Sequence, residues 1–136
     1  MTIPKAVEAT RKEKNMGKRI AVSVLDREKG ADAGIDPRFG RASGFIILDE
    51  DSGEILESLE NTNVNAAHGA GTGTASMMSE NKVDVAISCR FGPKAFQALK
   101  AMGIGIYTAP EGKTVSQVLE MYKKGELEPM EIKQFR

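Results

Sequence analysis

A change in how the strand-like runs are connected constrains this chain more than any other feature. Gly44-Phe45-Ile46-Ile47-Leu48-Asp49 and Glu54-Ile55-Leu56-Glu57-Ser58-Leu59-Glu60 are separated only by a turn around Asp51-Ser52-Gly53. So short a connection cannot carry a crossover, and the two runs must form an antiparallel hairpin. Beyond Asn61-Thr62-Asn63 the strand-like runs alternate with helical patterns instead. Strands joined through helices return parallel, with a right-handed crossover. Both kinds of connection in one chain require a mixed sheet whose faces are covered by helices.

The remaining elements fall into this frame. Arg19-Ile20-Ala21-Val22-Ser23-Val24-Leu25 is rich in β-branched residues and reads as the first strand, followed by a loop over residues 26–42. The run at 44–49 is apolar on both faces, which predicts an interior place in the sheet. Val83-Asp84-Val85-Ala86-Ile87-Ser88 and Ile104-Gly105-Ile106-Tyr107 are the fourth and fifth strands. Residues 72–81 give a helix weakened by Gly, Thr and Ser. Residues 93–102 give a stronger one, with Pro93 in its first turn, Gly103 beyond its end, and Phe96, Leu99 and Met102 on one face. Thr114-Val115-Ser116-Gln117 is a capping-box pattern opening a third helix, whose Val115, Val118, Leu119 and Tyr122 share a face. The predicted fold is α/β, a mixed five-stranded sheet in βββαβαβα order with helices packed on it.

At 136 residues the chain suits one domain. Residues 1–17 carry interspersed charges and few sizeable apolar side chains, which predicts a flexible N-terminal extension, a domain over 18–128 and a tail over 129–136. With 19 basic and 19 acidic residues, the overall charge gives no reason to expect nucleic acid as a partner. No apolar run reaches the roughly 20 residues of a membrane span, and the first residues lack the apolar core of a secretory signal. A single cysteine excludes an internal disulfide. The expected setting is the cytoplasm, without a membrane partner.

The one histidine and the one cysteine both lie in glycine-flanked loops at apparent helix starts. Imidazole and thiolate are strong ligands for iron, copper, zinc and iron–sulfur species. His68 precedes Gly69, Gly71 and Gly73, which allow a ligand to approach backbone N–H groups near a helix N-terminus. Its blander alternative is a loop histidine bonded to a backbone carbonyl. Cys89 follows the fourth strand, where ligands bind in open α/β sheets. Beside Arg90 and a Gly92-Pro93 helix start, its thiol is expected to have thiolate character; otherwise it is a small buried apolar group. One cysteine and one histidine cannot complete a tetrahedral zinc site, but they could hold a preassembled cluster or share a metal across a homodimer. Arg38 and Arg41, in Asp36-Pro37-Arg38-Phe39-Gly40-Arg41, could bind an anion by forked hydrogen bonds, or simply pair with Asp36. Met77 and Met78 read as core filler. No GxSxG, HExxH or CxxC is present.

Taken together, Asp36 to Arg41, His68-Gly69-Ala70-Gly71 and Phe91-Gly92-Pro93-Lys94-Ala95-Phe96-Gln97-Ala98-Leu99 resemble the dinitrogenase iron–molybdenum cofactor biosynthesis family, over residues 18–127. The resemblance implies a ribonuclease-H-like fold and the binding or carriage of an iron–molybdenum or related metal–sulfur cluster, with His68 as a cluster ligand. In many relatives the position of Cys89 looks like glycine or another small residue, so Cys89 stands on its local chemistry alone. The leading expectation is a non-catalytic cluster carrier that works with a cluster-donor or acceptor protein. Arg38, Arg41, His68, Gly69, Gly71, Cys89, Arg90 and Gly92 would form its site, with His68 and Cys89 on the metal. The alternative is a binding or regulatory module for a phosphorylated small molecule. A nuclease ranks last, because Ser23 stands at the centre of the first strand where a metal-binding carboxylate is expected.

Overall fold

The computed structural model describes residues 17–63 and 69–130, so the sequence readings for 1–16, for His68 and for 131–136 lie outside the described residues. Among the described residues, one mixed sheet contains β1 (Arg19–Val24), β2 (Gly44–Asp49), β3 (Ile55–Glu60), β4 (Val85–Ser88), β5 (Gly105–Thr108) and β6 (Glu128–Pro129). Their spatial order is β3-β2-β1-β4-β5-β6. The short turn after β2 makes β2 and β3 antiparallel, and β2 is antiparallel to β1 as well. Helices α1 (Ala70–Glu80) and α2 (Pro93–Ala101) lead into strands that run parallel, β1 with β4 and β4 with β5. The third helix, α3 (Val115–Lys123), begins with the predicted capping box: the Gln117 N–H donates to Thr114 Oγ1 at 3.3 Å, and the Thr114 N–H donates to Gln117 Oε1 at 2.9 Å.

Two features correct the sequence reading. The sheet gains a sixth strand, the two-residue β6, antiparallel to β5. Met130 extends this edge by donating its N–H to the Ile106 carbonyl at 2.8 Å. Two residues have no periodicity to read, and Pro129 lacks a donor, which confines it to an edge. The second correction is a 3-10 segment, Arg27–Asp32, within the predicted loop. Asp26 caps it by accepting the Glu28 N–H, and Gly30 breaks it at φ 56°.

Strand alternation divides the core between the two faces of the sheet. Ile20, Val22 and Val24 of β1 join Ile46, Val85, Ile87, Val115 and Val118 on the face covered by α3. Ala21 joins Phe45, Ile47, Ala86, Phe96 and Leu99 on the face covered by α1 and α2. All six residues of β2 are buried, as its two-sided apolar pattern predicts. Among the described residues no helix is long and apolar enough to cross a membrane.

Candidate functional site

The parallel strands β1 and β4 end side by side, and the segment after β1 folds over both ends. Buried Ser23 and Ser88 place their hydroxyls on the same Asp36 carbonyl oxygen, at 2.7 and 3.2 Å, and lie 2.9 Å from each other. The Arg90 N–H then donates to the Pro37 carbonyl at 2.8 Å, and the Phe39 N–H donates to the Arg90 carbonyl at 3.1 Å. This two-bond zipper sets Arg38 and Arg90 side by side. Further along, the Asn61 amide donates to the carbonyls of Gly40 and Ala42 at 3.2 and 2.9 Å, while the Thr74 hydroxyl bonds Gly40 at 3.3 Å. Buried polar groups that are fully partnered hold a loop in one shape.

Two glycines bring the helices onto this loop. A Cβ on Gly40 would stand 3.1 Å from Gly71 Cα, and one on Gly71 would stand 3.0 Å from the Ala95 Cβ. Loop, α1 and α2 therefore meet at a spacing that side chains would prevent.

Between them lies an open cleft of about 620 Å³. Arg38, Arg41, Arg90 and Lys94 line it together with Phe39, Phe91 and the first residues of α1 and α2. No carboxylate lines it among the described residues. Phe39 and Phe91 are buried, with ring centroids 4.9 Å apart, and form an apolar floor. Both helices that reach the cleft have a glycine at the N-cap, Gly69 for α1 and Gly92 for α2, with no side-chain cap bond. Helix N-termini without such caps present N–H donors and the positive end of the helix dipole. The whole arrangement favours an anion whose surface accepts hydrogen bonds.

The predicted site residues separate into groups. Arg38, Arg41, Gly71, Arg90 and Gly92 converge on the cleft. His68 lies outside the described residues. Gly69 is exposed and does not line the cleft; its φ of 76° marks it as the left-handed N-cap residue of α1. Cys89 does not line the cleft either, but packs with Tyr107 and Tyr122 against the core on the α3 face. The expected thiolate is also corrected: burial first, and then Glu111, push the Cys89 thiol up, outweighing the opposing pull of Arg90. Part of the bland reading of the arginine loop holds, because Arg38 pairs with buried Asp36 at 3.3 Å. Lys94 was missed. It is the second residue of α2, immediately after Pro93, and a cation at a glycine-capped helix start is a signal readable in the sequence.

Among the described residues, no group of three or more His, Cys, Asp and Glu side chains could hold a metal ion. The described lining thus fits the outer surface of an anionic group and supplies no ligand directly to a metal.

Residues 18–125 match the family described as dinitrogenase iron-molybdenum cofactor. An uncharacterised protein of Methanocaldococcus jannaschii is 35% identical over 99 residues, which is 71% of this chain and 83% of that protein. The apo form of the orange protein from Desulfovibrio gigas is 34% identical and superposes with a TM-score of 0.77, covering 86% of this chain and 99% of its own. A NifB-like protein of Thermotoga is 33% identical, with a TM-score of 0.70 and coverage of 82% and 92%.

Proposed function

The chain belongs to the dinitrogenase iron–molybdenum cofactor family, and from that membership we propose that it binds an anionic metal–sulfur cluster of the iron–molybdenum type in the cleft, without catalysis. One observation carries this reading: four cationic side chains and two glycine-capped helix N-termini surround a cleft whose described lining holds no carboxylate. Arg38, Arg41, Arg90 and Lys94 would balance the cluster charge while backbone N–H groups donate to its sulfides. The apolar floor of Phe39 and Phe91 offers no polar group to compete for those interactions.

His68, which precedes the N-cap residue of α1 in the sequence, is the ligand proposed for a metal of the cluster. Cys89 is not proposed, since its side chain packs toward the other face of the sheet. That the chain performs no chemistry of its own on the cluster is part of the same proposal. An open cleft suits carriage between a cluster donor and an acceptor protein, in the reducing cytoplasm. The same proposal takes the fold as ribonuclease-H-like, with the order β3-β2-β1-β4-β5 as its support.

The same cations and glycine-capped helix N-termini also suit a second reading, a site for a phosphorylated small molecule. Anaerobic reconstitution with iron, sulfide and molybdate separates the two. The cluster reading expects bound metal and charge-transfer absorption, both reduced in His68→Ala and in the double variant Arg38→Gln, Lys94→Gln. No bound metal, combined with thermal stabilisation by pyrophosphate or nucleotides, would transfer the site to the second reading.

A further inference from the structure

The cations around the cleft are held by different partners. Arg38 pairs at 3.3 Å with Asp36, a carboxylate that is 2% exposed and also accepts the Arg38 N–H at 2.9 Å, although the Arg38 side chain is itself 56% exposed. Lys94 has no ion-pair partner among the described residues. Arg90 is intermediate, its Nη1 lying 2.9 Å from Glu111 Oε2, with the two side chains 61% and 64% exposed.

The backbone around Arg90 cannot move with its side chain. Its N–H and carbonyl are both engaged by the 36–39 loop, through Pro37 and Phe39. Glu111 lies in the segment after β5, and the Ala109 N–H donates to the Ser88 carbonyl at 3.0 Å, which brings that segment beside Arg90. Glu111 itself does not line the cleft. The Arg90 side chain therefore extends from a fixed backbone at the cleft, with its guanidinium resting on a carboxylate outside it.

Resting on the reading of the cleft as an anion site, we infer that Glu111 is an internal competitor for Arg90 and limits how tightly an anionic cargo is held. An exposed ion pair is weak and easily exchanged. Arg90 can turn from Glu111 to the cargo on binding and return on release. Glu111 is thus a positioning residue acting through Arg90, and it keeps a carrier from retaining what it must pass on.

The test uses the full chain loaded with cluster from iron, sulfide and molybdate, and follows the loss of charge-transfer absorption after adding excess iron chelator. Glu111→Gln is expected to slow release by about two- to fivefold, the range an exposed ion pair can supply. Arg90→Gln should speed release, and adding Glu111→Gln to it should change nothing further. Glu120→Gln removes the same charge from an exposed ion pair on α3 and should leave release unchanged. Wild-type release in Glu111→Gln, or equal slowing with and without Arg90, overturns the inference while the cleft reading stands. A wild-type chain that takes up no cluster defeats the cleft reading, and the inference with it.

Discussion

Gly71 shows how closely one residue controls the cleft. Its missing Cβ would meet the Ala95 Cβ at 3.0 Å, so alanine there requires a shift of a few tenths of an ångström and valine requires more. Gly71→Val is expected to push α1 from α2, costing about 1–3 kcal/mol of stability in thermal unfolding, and to abolish cluster uptake while the circular dichroism spectrum stays native. Retention of full uptake would show that the spacing is not needed. Cys89 marks the limit of local reading. Its neighbours Arg90, Gly92 and Pro93 suggest an activated thiol, yet strand alternation places it with Val85 and Ile87, both on the α3 face. Extending the period of two past the end of β4 would have found this. Charge proximity along the chain says nothing about the side of the sheet to which a side chain points.

At the level of elements, the turn between β2 and β3 depends on one carboxylate. Asp49 is buried and accepts N–H groups from Gly17 at 3.0 Å and Ser52 at 2.8 Å. Burial alone would raise its pKa, but the hydrogen bonds from Ser52, Gly17 and Asp51 outweigh it and hold the carboxyl below its usual range. A folded-state pKa below the unfolded one gives stability that is present above the ordinary carboxylate range and lost as pH falls through the folded value. Asp49→Asn should therefore lower stability at neutral pH and flatten the decline below about pH 4, as read from urea midpoints across pH. An unchanged acid limb would place the titration elsewhere. Elements of this size were largely legible. The hairpin, both crossovers and the α3 capping box all follow from patterns within a few residues. The 3-10 segment and β6 were not, because neither is long enough to repeat a period.

For the whole molecule, the balance of 19 basic and 19 acidic residues conceals an asymmetry. The cleft gathers four cations, whereas the β2–β3 hairpin over residues 50–60 carries Glu50, Asp51, Glu54, Glu57 and Glu60. Attraction for an anion is therefore local. Cluster release should accelerate as salt rises and the screening length contracts to roughly 10 Å at 0.1 M, while duplex DNA should not be retained at physiological salt. Tight DNA binding in an electrophoretic shift would contradict a local field. Connection lengths and apolar periods, read from the sequence alone, determined a mixed sheet with antiparallel strands on one side and parallel strands on the other, because those signals act between near neighbours in the chain. They also marked Arg38, Arg41 and Arg90 as cations without showing that they meet. Only the tertiary structure decided that these three share a cleft with Lys94. Residues 38 and 90 become neighbours only when β1 and β4 pair, and that pairing is set by burying both faces of the sheet at once.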